Sequence, residues 1–144
     1  MLVRLMYTSR TAASVDQDTL HGLLRQCKDN NTRLGVTGLL CHCSTSGIFM
    51  QALEGGRDAV NRLYLKIAND PRHSEVCLLN YEEISERRFA SWSMGQVNMT
   101  RLNPALLLKY SATARLDPYD MPGRVSQALF DELVATASIM GERT

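Results

Sequence analysis

Short stretches of alternating apolar and polar residues predict five β-strands. In the first, residues 2–9, Val3, Leu5 and Tyr7 share one face, and Met6 lies on the other. The other predicted strands are residues 36–43, 48–54, 75–81 and 93–99. Because the turn Ser44-Thr45-Ser46-Gly47 joins the second strand to the third, these two are expected to form a hairpin.

Two longer stretches repeat apolar residues at the spacing of an amphipathic helix. The first is predicted to begin at Ser14, which has capping-box spacing to Gln17, and to end at Asp29-Asn30-Asn31. The second has an apolar stripe from Val60 to Ala68 and is stopped by Pro71. The stripe of the first helix consists of Leu20, Leu23, Leu24 and Cys27. The order β-α-β-β-α-β-β predicts an α+β, ferredoxin-like sheet with both helices on one face.

The pattern changes after Met99. Residues 102–110 predict a short helix, and Asp117-Pro118 and Pro122-Gly123 interrupt the chain. A last helix is predicted from its apolar positions, which are Val125, Ala128, Leu129, Leu133, Val134, Ala137 and Met140. About 45 residues are too few to fold alone. We therefore expect residues 1–99 to form one domain and residues 100–144 a helical extension that packs on the open face of the sheet or on a partner.

Charge and composition exclude several classes of protein. The 144 residues carry 16 Lys and Arg against 15 Asp and Glu, a net charge of +1. No general attraction to nucleic acid or to anionic lipid is therefore expected. No apolar run approaches the ~18 residues that span a bilayer, and the start of the chain does not resemble a secretory signal. We expect a cytoplasmic protein that binds neither membrane nor nucleic acid directly.

The four cysteines, Cys27, Cys41, Cys43 and Cys77, include no Cys-x-x-Cys pair, which argues against a thiol redox protein. In Cys41-His42-Cys43 an extended backbone places the two thiols on one face and the imidazole on the other. These three residues therefore do not predict a tetrahedral zinc site. Reduced cysteines packed as small apolar residues are the expected state.

Two polar side chains fall where a core prefers apolar ones. Tyr7 shares a face with Val3 and Leu5, and Gln51 shares a face with Phe49 and Leu53. The first and third strands are neighbours in the predicted topology, so a buried phenol and a buried amide can meet. The pattern allows either a structural pair in the core or part of a binding site.

A second polar group follows the predicted ends of the two helices. Asn30 and Asn31 close the first helix, and Asp70, Arg72 and His73 follow the second. An apolar slot with a few convergent polar groups is the usual form of a small-molecule site. Helix capping by the asparagines and a solvated turn at Arg72 and His73 remain the alternatives.

Several motifs, taken in their order and spacing, resemble the BLUF family of blue-light sensors that use flavin. The resemblance covers residues 2–99. The motifs are Tyr7-x-Ser9, Asn31 with Thr37-Gly38-Leu39-Leu40, Phe49-Met50-Gln51-Ala52-Leu53-Glu54-Gly55, Asp70-Pro71-Arg72-His73, Arg87-Arg88-Phe89 and Ser91-Trp92-Ser93-Met94.

The resemblance implies that the two helices hold FAD non-covalently; FMN is also compatible with the basic residues nearby. Asn31 would bond the pyrimidine edge of the flavin ring, and Lys66 could carry a ribityl or phosphate contact. Arg72 and His73 would flank the outer part of the ligand. The residues that the resemblance implies for binding are Tyr7, Ser9, Asn30, Asn31, Gln51, Lys66, Asp70, Arg72 and His73.

The resemblance also implies the photochemistry. Tyr7 would give an electron and then a proton to the excited flavin, and Gln51 would relay the proton. The Gln51 amide would remain rotated or tautomerised and place a new hydrogen bond at flavin O4, which shifts absorption to the red. Trp92 and Met94 would be the fifth-strand residues that report this switch.

A non-enzymatic photoreceptor is therefore expected. Because no effector domain follows Met99, the signal is expected to pass through the C-terminal helices to an unidentified partner protein, with a homodimer also allowed. One alternative is a light-independent, small-molecule-binding regulatory module of the same fold. A hydrolase of acylphosphatase type is disfavoured because Ser9-Arg10-Thr11 lacks a glycine-rich anion cradle.

Overall fold

The computed structural model describes residues 1–11, 17–43, 46–98 and 102–136, without the side chains of residues 17–21, 23, 24 and 98. Its strands are β1 (Leu2–Thr11), β2 (Thr37–Cys43), β3 (Ile48–Gly56), β4 (His73–Ile84) and β5 (Gly95–Asn98). Its helices are α1 (Gln17–Leu34), α2 (Arg57–Ala68), α3 (Pro104–Tyr110) and α4 (Gly123–Ala135), and Pro118–Asp120 form a short 3-10 turn.

The strands form one sheet in the order β4-β1-β3-β2-β5. β1 pairs antiparallel with both β3 and β4, and β2 pairs antiparallel with β3. The short β5 adds to the edge of the sheet parallel to β2. This arrangement confirms the predicted α+β, ferredoxin-like fold, in which β1 and β3 are neighbours.

Period-two alternation divides the sheet into two apolar faces. On the first face, Val3, Leu5 and Leu53 pack with Val60 and Leu63 of α2. On the second face, side chains of the C-terminal segment cover the sheet. That second cluster includes Met6, Leu39, Met50, Ala52, Leu107, Leu129, Phe130 and Leu133. Helices therefore cover both faces of the central strands, the first face by the helices within the β-α-β-β-α-β order and the second by α3 and α4, while the edge strand β4 stays partly exposed.

The predicted end of the first helix is wrong. α1 continues through Asn30 and Asn31 to Leu34, and Gly35, with φ of +70°, follows it. Glycine takes up this left-handed conformation without steric cost, so it ends the helix where the chain turns. The asparagines are compatible with helix interior, and no local signal forces a stop at them.

The predicted strand bounds also need correction. β3 does not end at Glu54 but continues through Gly55 and Gly56, because these residues pair with Val3 and Leu2 of β1. β4 is longer than predicted for the same reason, since its residues from His73 to Ile84 pair along β1. β5 begins at Gly95, where pairing with β2 begins, so Trp92 and Met94 lie in the segment before it and not on the fifth strand as expected. The predictions at Ser14, Ser44, Thr45, Met99, Ala137 and Met140 fall outside the described residues.

Candidate functional site

Tyr7 and Gln51 lie directly opposite each other in the β1–β3 ladder. Both side chains are buried, with 1% and 2% of their surface exposed. The Tyr7 hydroxyl donates a hydrogen bond to Oε1 of Gln51, which confirms the prediction that the phenol and the amide meet. Burial raises the pKa of Tyr7 well above its usual value, so the phenol is protonated and acts as the donor.

The other end of the Gln51 amide faces the residue that precedes β5. Gln51 Nε2 donates to the sulfur of Met94 at 3.3 Å, and Met94 is buried on the same face as Tyr7. The amide therefore joins Tyr7 on one side to Met94 on the other. A thioether is a weak acceptor, so this second hydrogen bond is easier to exchange than the first.

Trp92 lies on the opposite face of the sheet from Met94. It is 8% exposed and packs in the second apolar cluster with Leu107, Leu129 and Phe130. Its carbonyl accepts a hydrogen bond from the Gly38 amide at 3.0 Å. The structure thus brings Met94 to the Gln51 amide and places Trp92 against the C-terminal helices.

A narrow cleft between α1 and α2 leads down to Tyr7 and Gln51. Its inner walls are apolar, and polar groups lie at its outer end. Its lining comprises Tyr7, Gln26, Cys27, Asn30, Leu40, Gln51, Leu63, Lys66, Ile67, Asp70, Arg72 and His73. Seven of the nine residues expected to bind the ligand belong to this lining; Ser9 and Asn31 do not.

The rim of the cleft is held by a carboxylate and a guanidinium. Asp70 accepts hydrogen bonds from Arg72 Nε at 3.0 Å and from the Arg72 amide at 2.9 Å. The guanidinium holds the pKa of Asp70 at about 2, well below its usual value. Arg72 also reaches across to Oε1 of Gln26 on α1 at 3.2 Å, so its side chain connects α1 to the turn that follows α2 at the rim of the cleft.

Ser9 and Asn31 support the site from outside its lining. Ser9 Oγ lies 2.9 Å from Nδ1 of His73 and so orients an imidazole that does line the cleft. Asn31 is buried, and its Nδ2 donates to the Ser93 carbonyl at 3.1 Å. Asn31 therefore links α1 to the segment that carries Trp92 and Met94.

Sequence reasoning missed several residues of the cleft. Leu40, Leu63 and Ile67 form its apolar walls; Leu63 and Ile67 lie in the predicted apolar stripe of the second helix, and Leu40 lies in the predicted second strand. Cys27 belongs to the predicted apolar stripe of the first helix. The packing of α1 and α2 decides that Gln26 also faces the cleft, and no local pattern in the sequence marks it.

The cleft suits a flat ring with polar edges and an anionic tail. Aliphatic side chains can cover ring faces, the Gln51 and Asn30 amides can pair with ring carbonyls and nitrogens, and Arg72 and Lys66 can neutralise phosphate. The cavity volume is about 50 Å³, below the ~300 Å³ and more of a site for a drug-sized ligand. A larger ring would fit only if α1 and α2 were further apart or the rim side chains were turned outward.

The described residues lack two other features: a cluster of metal ligands and a membrane-spanning helix. They contain no group of three or more His, Cys, Asp or Glu side chains that could hold a metal ion. Cys41 is buried on the second face of the sheet, and the His42 ring contacts Phe49 on the other side. Within the described ranges, no helix is both long and apolar enough to cross a membrane.

The fold and cleft define a ferredoxin-like binding domain for a polar-edged ring, with a tyrosine–glutamine pair at the base of the site. The family model described as "sensors of blue-light using FAD" (BLUF) matches residues 2–95. This chain belongs to the BLUF family.

Curated relatives match the same part of the chain. The photoactivated adenylate cyclase subunit beta of Euglena longa is 36% identical over 94 residues, which is 65% of this chain and 11% of the relative. The corresponding subunit of Euglena gracilis is 35% identical over 94 residues, again 65% of this chain and 11% of the relative. The chain thus spans about a tenth of the length of these cyclase subunits.

Solved structures extend the likeness to the C-terminal helices. The photo-activated state of BlsA superposes with a TM-score of 0.84 at 28% identity, covering 100% of this chain and 99% of that one. The dark state of the BLUF protein BlrB gives a TM-score of 0.78 at 32% identity, with 94% and 96% covered. Klebsiella pneumoniae BlrP1 with FMN and cyclic diGMP gives 0.69 at 27% identity, with 94% and 34% covered.

Proposed function

We propose that this chain is a non-enzymatic blue-light photoreceptor that binds flavin non-covalently between α1 and α2. The observation that carries the proposal is the hydrogen bond from Tyr7 to Gln51 at the base of a cleft with cationic residues at its rim. Membership of the BLUF family, which covers both strands and both helices of the site, supports it.

The ligand would be held from three directions. Gln51 and Asn30 would bond the polar edge of the ring, while Leu40, Leu63 and Ile67 would cover its faces. The residues proposed for the outer part of the ligand are Lys66, Asp70, Arg72 and His73, with Ser9 orienting His73 and Asn31 supporting α1. FAD is the proposed flavin, and FMN is compatible with the same cations.

Bound flavin would supply absorption of blue light and an excited state that accepts an electron. Tyr7 would be the electron donor at the base of the cleft, and Gln51 would relay its proton: Oε1 would take the hydroxyl proton along their hydrogen bond while Nε2 releases one toward the bound ring. When the electron and the proton return, the phenol is restored. The Gln51 amide then remains rotated or tautomerised, with a changed set of hydrogen-bond partners.

The changed amide would be read by Met94. Rotation removes the Nε2 donor from the methionine sulfur, which lies 3.3 Å away in the structure. One exchanged hydrogen bond is worth about 1 kcal/mol, which shifts the balance between two packings without refolding the chain. The signal would pass through β5 and the C-terminal helices to a partner protein, with a second copy of the chain also allowed.

The state of the cysteines supports a sensor that acts inside the cell. The four cysteines are free thiols, which fits the reducing cytoplasm proposed as its location. The adenylate cyclase activity named for the Euglena relatives belongs to proteins of which this chain spans 11%. We propose contact with another protein as the output, made through the C-terminal helices against which Trp92 packs.

Absorption spectra before and during blue illumination test the proposal. We expect a yellow protein that releases flavin on denaturation and whose flavin band shifts by a few nanometres to the red in light. A protein that remains colourless after reconstitution with FAD or FMN would overturn the proposal. Bound flavin with no light-induced shift would instead indicate the light-independent binding module.

A further inference from the structure

Glu54 lies on β3 three residues after Gln51 and is fully buried, with 0% of its surface exposed. Its Oε2 accepts hydrogen bonds from Arg4 Nε at 2.8 Å and from the Arg88 amide at 3.0 Å. Its Oε1 accepts from the Phe89 amide at 2.6 Å. A buried carboxylate on a central strand therefore binds two successive backbone amides of the segment between β4 and β5.

The charge of Glu54 is balanced within the sheet. Arg4 lies opposite Glu54 in the β1–β3 ladder and opposite Glu82 in the β1–β4 ladder. Its guanidinium contacts both carboxylates, at 2.7 Å and 2.8 Å, and also lies 5.7 Å from the centre of the Phe89 ring. Since Arg4 supplies the counter-charge, the two backbone bonds of Glu54 serve to anchor the segment.

The first two residues of the anchored segment, Arg88–Met94, contact α4. The Phe89 ring is fully buried and lies 6.1 Å from the Phe130 ring. Arg88 pairs with Asp131 at 2.7 Å. Two successive residues of the segment thus contact two successive residues of α4.

The last residue of the same segment, Met94, contacts the Gln51 amide. The Phe89 carbonyl accepts a hydrogen bond from the Trp92 amide at 3.1 Å, which closes a turn. Two residues later, Met94 receives the Nε2 donor of Gln51. The segment therefore connects the amide on one face of the sheet to α4 on the other, and Glu54 binds it to the strand that carries Gln51.

We infer that Glu54 is a positioning residue that transmits the Gln51 switch to α4. Because Glu54 fixes the backbone of Arg88 and Phe89 to β3, a displacement of Met94 strains the short segment between them and is not absorbed by a loose loop. The strain changes how the Arg88 and Phe89 side chains pack on α4. Hydrogen bonds to a charged acceptor are the stronger ones available for such an anchor. The inference rests on the proposed function and adds to it a route and a residue.

Glu54→Gln tests the inference in the full chain. It keeps the shape of the side chain but turns one acceptor oxygen into a donor, which opposes either the Arg88 amide or the Phe89 amide. The matched control, Arg4→Lys, keeps a positive charge beside Glu54 and leaves Glu54 with both backbone amides, but removes the guanidinium bonds. Glu54→Asp, which keeps the charge beside Arg4 but shortens the reach to the segment, replaces Glu54→Gln if that variant does not fold.

Two measurements are made on each variant in darkness and under blue light: the flavin absorption spectrum and hydrogen–deuterium exchange of residues 123–136. We expect wild type and Arg4→Lys to show both the red shift and a light-dependent change in exchange at α4. Glu54→Gln should keep the red shift and lose the change at α4.

The outcomes separate the two proposals. A red shift in Glu54→Gln accompanied by an exchange change equal to that of wild type overturns the inference alone. A wild type that shifts but shows no change at α4 does the same. Loss of the α4 change in Arg4→Lys as well as in Glu54→Gln overturns the anchoring role, since general loosening then explains both. A wild type without any red shift overturns the proposed function and the inference with it.

Discussion

Tyr7 and Gln51 face each other across β1 and β3, and the phenol donates to the amide oxygen at the base of the cleft. The amide nitrogen turns to Met94. A change at the phenol therefore reaches the segment before β5 through a single side chain.

Tyr7→Phe is expected to retain flavin and to lose the light-induced red shift, because the ring still packs but the electron and proton donor is gone. Loss of the hydroxyl leaves Gln51 Oε1 without this partner, at a cost of about 1–2 kcal/mol in the free energy of unfolding. Light-minus-dark spectra and urea unfolding measure the two effects. Tyr64→Phe is the control, since its ring lies 5.6 Å from that of Tyr7 and no part of the proposed proton path uses it. A normal red shift in Tyr7→Phe would contradict the mechanism.

Gln51→Leu is expected to bind flavin without a stable light state. The substitution removes both the acceptor for Tyr7 and the donor to Met94, so no amide remains to rotate. Light-minus-dark difference spectra provide the measurement. Met94→Leu is the matched control because it removes only the sulfur acceptor with little change in volume; it should keep the shift and alter the rate of dark recovery. Equal spectra in Gln51→Leu and wild type would rule out the amide as the switch.

Phe130→Ala is expected to loosen the packing of α4 on the sheet. It should lower the free energy of unfolding by about 3–5 kcal/mol, the usual cost of removing a buried aromatic ring. Trp92 is the one tryptophan of the chain and belongs to the same cluster, so its emission should move to longer wavelength. Leu108→Ala, at an exposed position of α3, is the control and should change neither quantity. Unchanged Trp92 emission in Phe130→Ala would show that the two side chains do not share a core.

Stability is expected to fall as the pH drops below 6.5, the usual pKa of histidine. Burial lowers the pKa of His73 in the folded protein, and this outweighs the opposing effect of Asp70; Arg72 lowers the pKa further by a smaller amount. The unfolded chain then binds a proton that the folded chain does not, so stability rises with pH in this window. Urea unfolding on either side of pH 6.5 should show this slope, and His73→Gln should reduce it. Part of the slope should persist in the variant, because burial also lowers the pKa of His42.

Gly38→Ala is expected to separate β2 from β3. A Cβ at Gly38 would lie 1.9 Å from the carbonyl oxygen of Ala52, so the backbone must shift, at a cost of about 1–3 kcal/mol. Gly22→Ala in α1 is the matched control, because nothing lies within 4 Å of its Cβ position; it should raise stability by about 0.5–1 kcal/mol. Urea unfolding of both variants tests the contrast, and a stabilised Gly38→Ala would contradict the close approach of the two strands.

Much of the fold could be predicted because its causes are local. Alternation over a few residues assigns Tyr7 and Gln51 to inward faces, since successive side chains of a strand point to opposite sides. Element bounds were less predictable where pairing partners decide them. Gly55 and Gly56 remain in β3 because β1 lies beside them, and their own propensity predicts a break.

Part of the site also required the folded chain. The sequence pattern predicts a helix end at Asn31, yet α1 continues past this residue. The Asn31 side chain binds the Ser93 carbonyl, 62 residues away. The sequence pattern predicts a strand end at Glu54, yet the Glu54 side chain binds the backbone amides of Arg88 and Phe89, 34 and 35 residues further on. Such contacts join residues that are distant in sequence, and no pattern within either segment encodes the partner.

Periodicity in the chain was enough to place the β-α-β-β-α-β core and to bring a phenol and an amide onto one inward face. The segment from Arg88 to Met94 has no period, so its side chains could not be assigned to a face beforehand. The packing of α4 on one side and of Gln51 on the other decides that Trp92 lies against the helices and Met94 against the amide. Repeating backbone geometry makes the first result local, whereas the second depends on which surfaces meet once the sheet has formed.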